Sequence, residues 1–185
     1  MALTSSSMLA LGTKAPDFKL MDTLTNKSYS LKDAKRSKAT VIMFICNHCP
    51  YVKHVIGELV QLAKDYQAKA ISFVGISAND AIAYPEDAPE KMAQLAKQLT
   101  FPYLYDETQS TAKAYQAACT PDFFIFDKDL LCVYRGQLDG SRPGNKIPVT
   151  GKDIRSALDN ILQGKPVNPH QLPSMGCNIK WKPSF

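Results

Sequence analysis

The hydrophobic and polar positions of the chain follow two periods, one after the other. Residues 41–45 form a short, continuous apolar run, which is typical of a strand buried on both faces. After Pro50, apolar residues return at helical spacing from Val52 to Tyr66, while charged residues occupy the opposite face. Proline suits the first turn of a helix, where its missing N–H is not needed. The pattern predicts a buried strand that leads directly into an amphipathic helix.

The same periods recur along the rest of the chain. Two short strands, expected to form an N-terminal hairpin, come before this unit. A strand, a helix, a strand and a helix follow it, and a second hairpin and a last helix close the pattern. The predicted bounds are 18–20, 28–31, 41–45, 52–66, 71–76, 86–99, 101–105, 108–118, 122–126, 131–135 and 152–162. This order predicts an α/β sandwich with a mixed central sheet flanked by helices, an inserted αβ unit and a C-terminal tail.

Length and composition indicate a single globular domain over residues 1–185. The basic residues behind the net charge of +5 are mostly scattered, so the charge gives no support to nucleic-acid binding. Residues 1–11 are expected to be disordered or loosely held. Residues 164–185 contain four prolines and are expected to form a tail that wraps the domain, with Ile179 and Trp181 holding it down.

The N-terminal residues also bear on the compartment. Residues 1–11 lack the basic start and the continuous apolar segment of a signal peptide. No apolar run approaches the roughly 18 residues of a membrane span, so we expect a cytoplasmic protein without a membrane partner. Structural disulfides are rare in that compartment. The five cysteines are therefore expected to serve catalysis or metal binding rather than a scaffold.

The segment Cys46-Asn47-His48-Cys49 carries the clearest chemistry. Two cysteines separated by two residues at a helix start can close a small disulfide ring without unfolding the chain. The free N–H groups and the positive end of the helix dipole favour a thiolate at Cys46. A protonated His48 beside that thiolate would stabilise the reduced pair and make the disulfide more oxidising. The segment therefore predicts a redox-active pair tuned by His48.

A zinc module is the alternative that belongs to a different class. Zinc usually takes four ligands, commonly from two such cysteine pairs, and this chain has one pair. Cys46 and Cys49 would need two further ligands, for which the chain offers His48, His54, Cys119 and Cys177. We predict a redox site with no metal and no cofactor, and keep zinc binding as the alternative.

The chain resembles the thioredoxin-like superfamily. The resemblance rests on Phe44-Ile-Cys-Asn-His-Cys-Pro, on the later Thr120-Pro121 and on the order of elements between them. The opening Gly12-Thr-Lys-Ala-Pro-Asp-Phe and the inserted αβ unit are similar to its peroxiredoxin-like branch, the alkyl hydroperoxide reductase/thiol-specific antioxidant group, in proteins that carry C-x-x-C. The segments Asp139-Gly-Ser-Arg-Pro-Gly and Gly176-Cys-Asn-Ile-Lys-Trp extend the resemblance over nearly the whole chain.

The resemblance implies a thiol–disulfide oxidoreductase with antioxidant chemistry and a role for each residue. Cys46 would be the attacking thiolate and Cys49 the buried resolving thiol. Pro121 would be a cis-proline facing the disulfide, and Thr120 would offer its backbone to an extended substrate segment. The implied partners are protein or small-molecule thiols and disulfides, with a reductant such as a thioredoxin or glutathione system.

The chain departs from the family pattern in three respects, and these limit the residue roles that the resemblance implies. Peroxiredoxins place a proline and a threonine seven and three residues before the reactive cysteine, where this chain has Ala39 and Met43. A thiol-dependent peroxidase of peroxiredoxin type is therefore the alternative within the enzymes. Thioredoxins bury an acid near the position of Thr40, so the proton acceptor for Cys49 is unassigned. Ile45 also replaces the tryptophan that thioredoxins place before the first cysteine.

The remaining cysteines differ in what they predict. Cys132 lies in an apolar strand and is expected to be a core residue. Cys119 directly precedes Thr120-Pro121, and Cys177 lies in the tail, so both are possible additional redox thiols. We expect the tail to fold back over the domain, so that Cys177 can pair with Cys46, Cys49 or Cys119.

Overall fold

The computed structural model describes residues 3–183. The strands are β1 (Leu3–Ser5), β2 (Lys19–Asp22), β3 (Lys27–Ser30), β4 (Ala39–Phe44), β5 (Ile71–Ser77), β6 (Tyr103–Tyr105), β7 (Cys119–Thr120), β8 (Asp122–Asp127), β9 (Cys132–Gly136) and β10 (Met175–Asn178). The helices are α1 (Leu31–Ala34), α2 (Pro50–Gln67), α3 (Pro89–Ala96), α4 (Ser110–Ala114) and α5 (Lys152–Leu162), and a 3₁₀ turn spans Pro85–Asp87. None of these helices is both long and apolar enough to cross a membrane.

Seven strands form the central sheet in the order β3-β2-β6-β5-β4-β8-β9. Strand β4 pairs in parallel with β5 and β5 with β6, whereas the other neighbours are antiparallel. The sheet is therefore mixed, as the order of elements predicts. Strand β4 has a neighbour on each side and all six of its residues are buried, which explains the continuous apolar run that begins at Val41.

The two faces of the sheet pack separate cores. On one face, Val41 and Met43 belong to a cluster that includes both Cys46 and Cys49. On the other face, the Phe44 ring lies 5.6 Å from the ring of Tyr115, between centroids. Because side chains alternate across a strand, one apolar run supplies both cores.

Two predicted helices are shorter in the structure than in the sequence pattern. The helix expected over 86–99 is divided into the 3₁₀ turn and α3, because Pro89 holds Ala88 in an extended conformation with ψ of 149°. The helix expected over 108–118 ends at Ala114, and Gln116 adopts a left-handed conformation with φ of 53°. The helix predicted over 152–162 is observed with those bounds.

The two ends of the chain form a second sheet in the order β1-β10-β7. Residues 1–11 were expected to be loosely held; Met1 and Ala2 lie outside the described residues, but Leu3 pairs with Cys177 and Ser5 with Met175. The expectation of a loose start therefore needs correction, because the tail supplies the start with a strand partner. The tail itself is held by Ile179, which is 1% exposed, whereas Trp181 is 41% exposed and is not the anchor we expected.

Candidate active site

The cysteine pair lies where the central strand ends and the long helix begins. Cys46 follows Ile45 at the carboxyl end of β4, and Cys49 is the residue that precedes α2, with Pro50 as its first helical residue. Cys46 is 1% exposed and Cys49 is 0% exposed. All five cysteines are present as thiols, so the pair is described in its reduced form. The two thiols also interact with each other, which raises the pKa of Cys46 and lowers that of Cys49.

The segment Thr120-Pro121 faces the two thiols. The Thr120–Pro121 peptide bond is cis, as the resemblance implies. The Thr120 hydroxyl oxygen lies 3.4 Å from Cys46 Sγ, and its carbonyl oxygen accepts a hydrogen bond of 3.2 Å from the Cys49 thiol. One residue, Thr120, therefore contacts both sulfurs of the pair.

The C-terminal strand brings a third thiol to the site. Cys177 pairs with Thr120 across the β10–β7 ladder, and its sulfur lies 2.8 Å from Cys49 Sγ. A side chain on Gly176 would overlap the Thr120 carbonyl group, so glycine permits this close approach. Cys119, the other possible redox thiol, hydrogen-bonds to the carbonyl groups of Pro121 and Ser174 instead.

The pairing of β10 with β7 also changes the expected role of Thr120. The resemblance implies that its backbone edge receives an extended substrate segment. In the structure that edge is paired with the chain's own tail through the Cys177–Thr120 register. A second strand can bind there only after β10 leaves, because the ladder uses the hydrogen-bonding groups of that edge.

Asp87 completes the site, and no motif or spacing in the sequence pointed to it. Its carboxylate is 0% exposed and accepts hydrogen bonds from the backbone N–H groups of Asn47, at 2.8 Å, and His48, at 3.2 Å. It also accepts one of 2.7 Å from Asn79 Nδ2 and is hydrogen-bonded to His48 Nδ1. These bonds fix the loop between the two cysteines from a position 39 residues along the chain.

His48 lies between Asp87 and the first cysteine. Its ring stacks on Tyr84, with 5.4 Å between centroids and 11° between planes. Because Nδ1 contacts Asp87, the other ring nitrogen, Nε2, is the one left to act elsewhere, and it is buried with no hydrogen-bond partner among residues 3–183. Cys46 Sγ, a His48 ring nitrogen and an Asp87 oxygen all lie within 4.8 Å of one another. The site thus contains a thiol, an imidazole and a carboxylate in one cluster.

The charges around the two sulfurs differ. The hydrogen bond to Cys49, burial and the Asp87 carboxylate all raise the pKa of Cys46. The hydrogen bond from Cys46, together with that from Cys177, lowers the pKa of Cys49, and the N–H of Val52 in the first turn of α2 acts in the same direction. These pKa directions favour ionisation of Cys49 over Cys46, whereas we expected the thiolate to be favoured at Cys46. The largest cause is the interaction of the two thiols with each other, and the N–H at the start of α2 adds to it on the side of Cys49.

The cluster of Cys46, His48 and Asp87 could supply three metal ligands. However, the Asp87 oxygens already accept four hydrogen bonds, and Cys49 is directed at Thr120 and Cys177. His54, a further candidate ligand, hydrogen-bonds Ser141 at 2.7 Å. Among residues 3–183, the potential ligand atoms that lie within 4.8 Å of one another are those of Cys46, His48 and Asp87, without Cys49 or His54.

The chain is similar to a known protein family and to several individual proteins. Residues 11–135 match the sequence profile of the AhpC/TSA family. A thiol-disulfide oxidoreductase, ResA of Geobacillus thermodenitrificans, is 27% identical over 158 residues, covering 85% of this chain and 82% of that protein. The crystal structure of an uncharacterised conserved protein from Geobacillus kaustophilus is 60% identical, with a TM-score of 0.98 over 100% of this chain and 99% of that one.

More distant structures share the fold. The thioredoxin domain of a thiol-disulfide oxidoreductase from Bacteroides vulgatus is 20% identical, with a TM-score of 0.58 over 72% of this chain and 90% of that one. The fold of the chain is thus thioredoxin-like, and its relative ResA is a thiol–disulfide oxidoreductase. The chain belongs to the AhpC/TSA family, so the family resemblance and the fold class predicted from the sequence are both confirmed.

Proposed function

We propose that the chain exchanges dithiol for disulfide through Cys46 and Cys49. The observation that supports this most directly is the placement of the two thiols, three residues apart at the start of α2 and both in contact with Thr120. In the proposed reaction, a Cys46 thiolate attacks a substrate disulfide and expels one substrate sulfur as a thiolate. Cys49 then attacks Cys46 Sγ, which closes the Cys46–Cys49 disulfide and releases the second substrate thiolate.

The proton of Cys46 has two acceptors within reach. One is the Cys49 sulfur, to which Cys46 is hydrogen-bonded, and the other is the ring of His48. Asp87 holds Nδ1 of that ring, which orients Nε2 and stabilises the imidazolium once it has accepted the proton. We therefore assign His48 the role of proton acceptor for Cys46 and Asp87 the role of a positioning residue. The helix start can then stabilise the thiolate of Cys49.

The substrates that we propose are small-molecule thiols and disulfides, or protein cysteines that reach the site as single side chains. This choice rests on β10, which is paired along the Thr120 edge where a substrate strand would otherwise add. A thioredoxin or glutathione system is the proposed source of electrons, and the cytoplasm remains the predicted compartment.

A redox titration tests the proposed function. The protein would be equilibrated in dithiol–disulfide buffers, alkylated and mapped by mass spectrometry. We expect a reversible Cys46–Cys49 disulfide with a potential above that of thioredoxin, about −270 mV, and not beyond that of the strongest oxidant of the superfamily, about −120 mV. Cys132→Ala, which removes a buried thiol from the opposite core, is the control and should titrate like the unchanged protein. Failure to form this disulfide across the range contradicts the proposal.

Peroxide reduction is the second candidate, and the family of the chain favours it. The side chain three residues before Cys46 is that of Met43, which is 1% exposed and packed in the core. A thioether offers no hydroxyl to orient and polarise a peroxide bond. We therefore propose peroxide reduction as the weaker activity of the same thiols.

A further inference from the structure

Cys49 has a second thiol in contact besides that of Cys46. Its sulfur lies 2.8 Å from Cys177 Sγ, although the two residues are 128 positions apart in the chain. A disulfide needs a separation of about 2.05 Å, so a small movement of either side chain suffices to form the bond. Both thiols are buried, with Cys177 4% exposed.

The backbone on both sides of Cys177 is held in place. Before it, the Ser174 N–H donates to Ser6 Oγ at 2.8 Å, and the Ser174 hydroxyl donates to the Pro121 carbonyl at 2.6 Å. After it, the Lys180 N–H donates to Asn79 Oδ1 at 2.8 Å. Between these points, strands β1 and β7 pair with the two edges of β10. The approach of Cys177 to Cys49 is thus built into the fold and does not depend on a mobile end.

We propose that Cys177 is a third redox thiol, which displaces Cys46 from its disulfide with Cys49. The oxidised state is then held as a Cys49–Cys177 disulfide. This inference rests on the proposed function, because the Cys46–Cys49 disulfide supplies the bond that is exchanged. The Cys177 thiolate attacks Cys49 Sγ, the Cys46–Cys49 bond breaks, and Cys46 leaves as a thiolate that takes up the proton given up by Cys177. One disulfide replaces another, so no external oxidant or reductant is consumed.

The surroundings of Cys177 set when this exchange can occur. Burial and the hydrogen bond to Cys49 raise the pKa of Cys177, while Lys180 acts in the opposite direction. Once Cys49 is part of a disulfide, it no longer carries negative charge, and its hydrogen bond no longer raises the pKa of Cys177. The exchange is therefore favoured only after Cys46 and Cys49 have been oxidised. Its result is a Cys46 thiol that is free to meet another substrate while Cys49 is held by the tail.

The test uses the full chain and two variants. Cys46→Ser, oxidised with glutathione disulfide, alkylated and digested, should yield the linked Cys49–Cys177 peptides in most molecules. Cys46→Ser/Cys177→Ser should instead stop at a glutathione adduct on Cys49. Accumulation of that adduct in Cys46→Ser, with Cys177 recovered as an alkylated thiol, overturns the inference.

The oxidised forms of the unchanged protein and of Cys177→Ser provide a second measurement. The unchanged protein should give both linkages, and Cys177→Ser only the Cys46–Cys49 linkage. If Cys177→Ser forms Cys46–Cys49 and the unchanged protein never forms Cys49–Cys177, the inference fails and the proposed function stands. If Cys177→Ser cannot form Cys46–Cys49 while Cys132→Ala does so, the proposed two-thiol reaction fails. If the Cys49–Cys177 linkage is preferred tenfold over the Cys46–Cys49 linkage, the ratio of oxidised to reduced protein should rise by about tenfold. This is equivalent to a change of about 30 mV in reduction potential.

Discussion

The carboxylate of Asp87 is hydrogen-bonded to Nδ1 of His48, inside the loop that separates the two cysteines. The same carboxylate accepts the backbone N–H groups of Asn47 and His48. One buried acid therefore controls both the shape of the cysteine loop and the orientation of its imidazole. The acid also lies close enough to raise the pKa of Cys46, so its negative charge opposes a thiolate there.

Replacing Asp87 tests this double role. In Asp87→Asn, the negative charge that opposes the Cys46 thiolate is lost, and we expect the pKa of Cys46 to fall. The amide of this variant also places its own N–H groups against the N–H groups that the carboxylate accepted, which should lower the free energy of unfolding by about 1–3 kcal/mol. The pH dependence of Cys46 alkylation and urea unfolding measure the two effects. Glu86→Gln, at the exposed neighbouring position, should change neither, and an unshifted alkylation profile in Asp87→Asn would remove Asp87 from the electrostatics of the site.

His48 should tune the redox pair in the opposite direction. His48→Ala removes the proton acceptor and cation from beside Cys46, so we expect a higher pKa of Cys46 and a lower reduction potential of the pair. The matched control is His54→Ala, on α2, whose ring binds Ser141 rather than the site. Alkylation against pH and redox titration are the measurements. An equal pKa of Cys46 and an equal reduction potential in His48→Ala and His54→Ala would show that His48 does not tune the pair.

The two cysteines should differ in reactivity. Cys49 is enclosed by Thr120 and Cys177, whereas Cys46 is followed by the partly exposed Asn47 and His48. Although charge favours ionisation of Cys49, we expect Cys46 to be alkylated first near neutral pH because a reagent can approach it from that side. Timed alkylation of the reduced protein with peptide mapping decides the order. Labelling of Cys49 before Cys46 would exchange the roles that we assign to them.

Peroxide should be a poor substrate. Met43 provides no hydroxyl near Cys46, so kcat/KM for hydrogen peroxide should lie far below the diffusional limit of about 10⁸–10⁹ M⁻¹s⁻¹. Peroxide consumption with a dithiol donor measures this, and Cys46→Ser gives the background rate of the donor alone. A value near the diffusional limit is the contrary result.

Asp122 predicts a loss of stability as the pH rises. Burial raises the pKa of its carboxyl group from 3.8 to about 8, and Oδ1 is buried without a hydrogen-bond partner among residues 3–183. Between these two values the folded protein holds a proton that the unfolded chain has lost. Its stability should therefore fall as the pH increases from 4 to 8, by up to about 1.4 kcal/mol for each pH unit.

Urea unfolding of the reduced protein at pH 5 and pH 8 measures this dependence. Asp122→Asn, which is neutral at both pH values, should flatten it and be the more stable protein at pH 8. Asp129→Asn, an exposed site paired with Lys128, should leave the slope as it is. A slope unchanged in Asp122→Asn would contradict the assignment.

Sequence patterns were sufficient for the features of this protein that depend on residues close together in the chain. The apolar run before Cys46 and the helical spacing after Pro50 place a buried strand against a helix start, and a C-x-x-C segment at that junction predicts redox chemistry. Periodicity of this kind is local, because each residue's face follows from its position in one strand or helix. The fold class and the position of the cysteine pair follow from it.

Tertiary structure alone decided what surrounds the pair. Asp87 reaches His48 across 39 residues and Cys177 reaches Cys49 across 128, and neither contact has a periodic signature. Strand β7 has two residues, too few to show alternation, so its pairing with β10 could not be read from the sequence. The ionisation of Cys49 in preference to Cys46 depends on distances to a carboxylate, to other thiols and to a helix start. Such electrostatic effects are set by separation in space, which the order of residues does not specify.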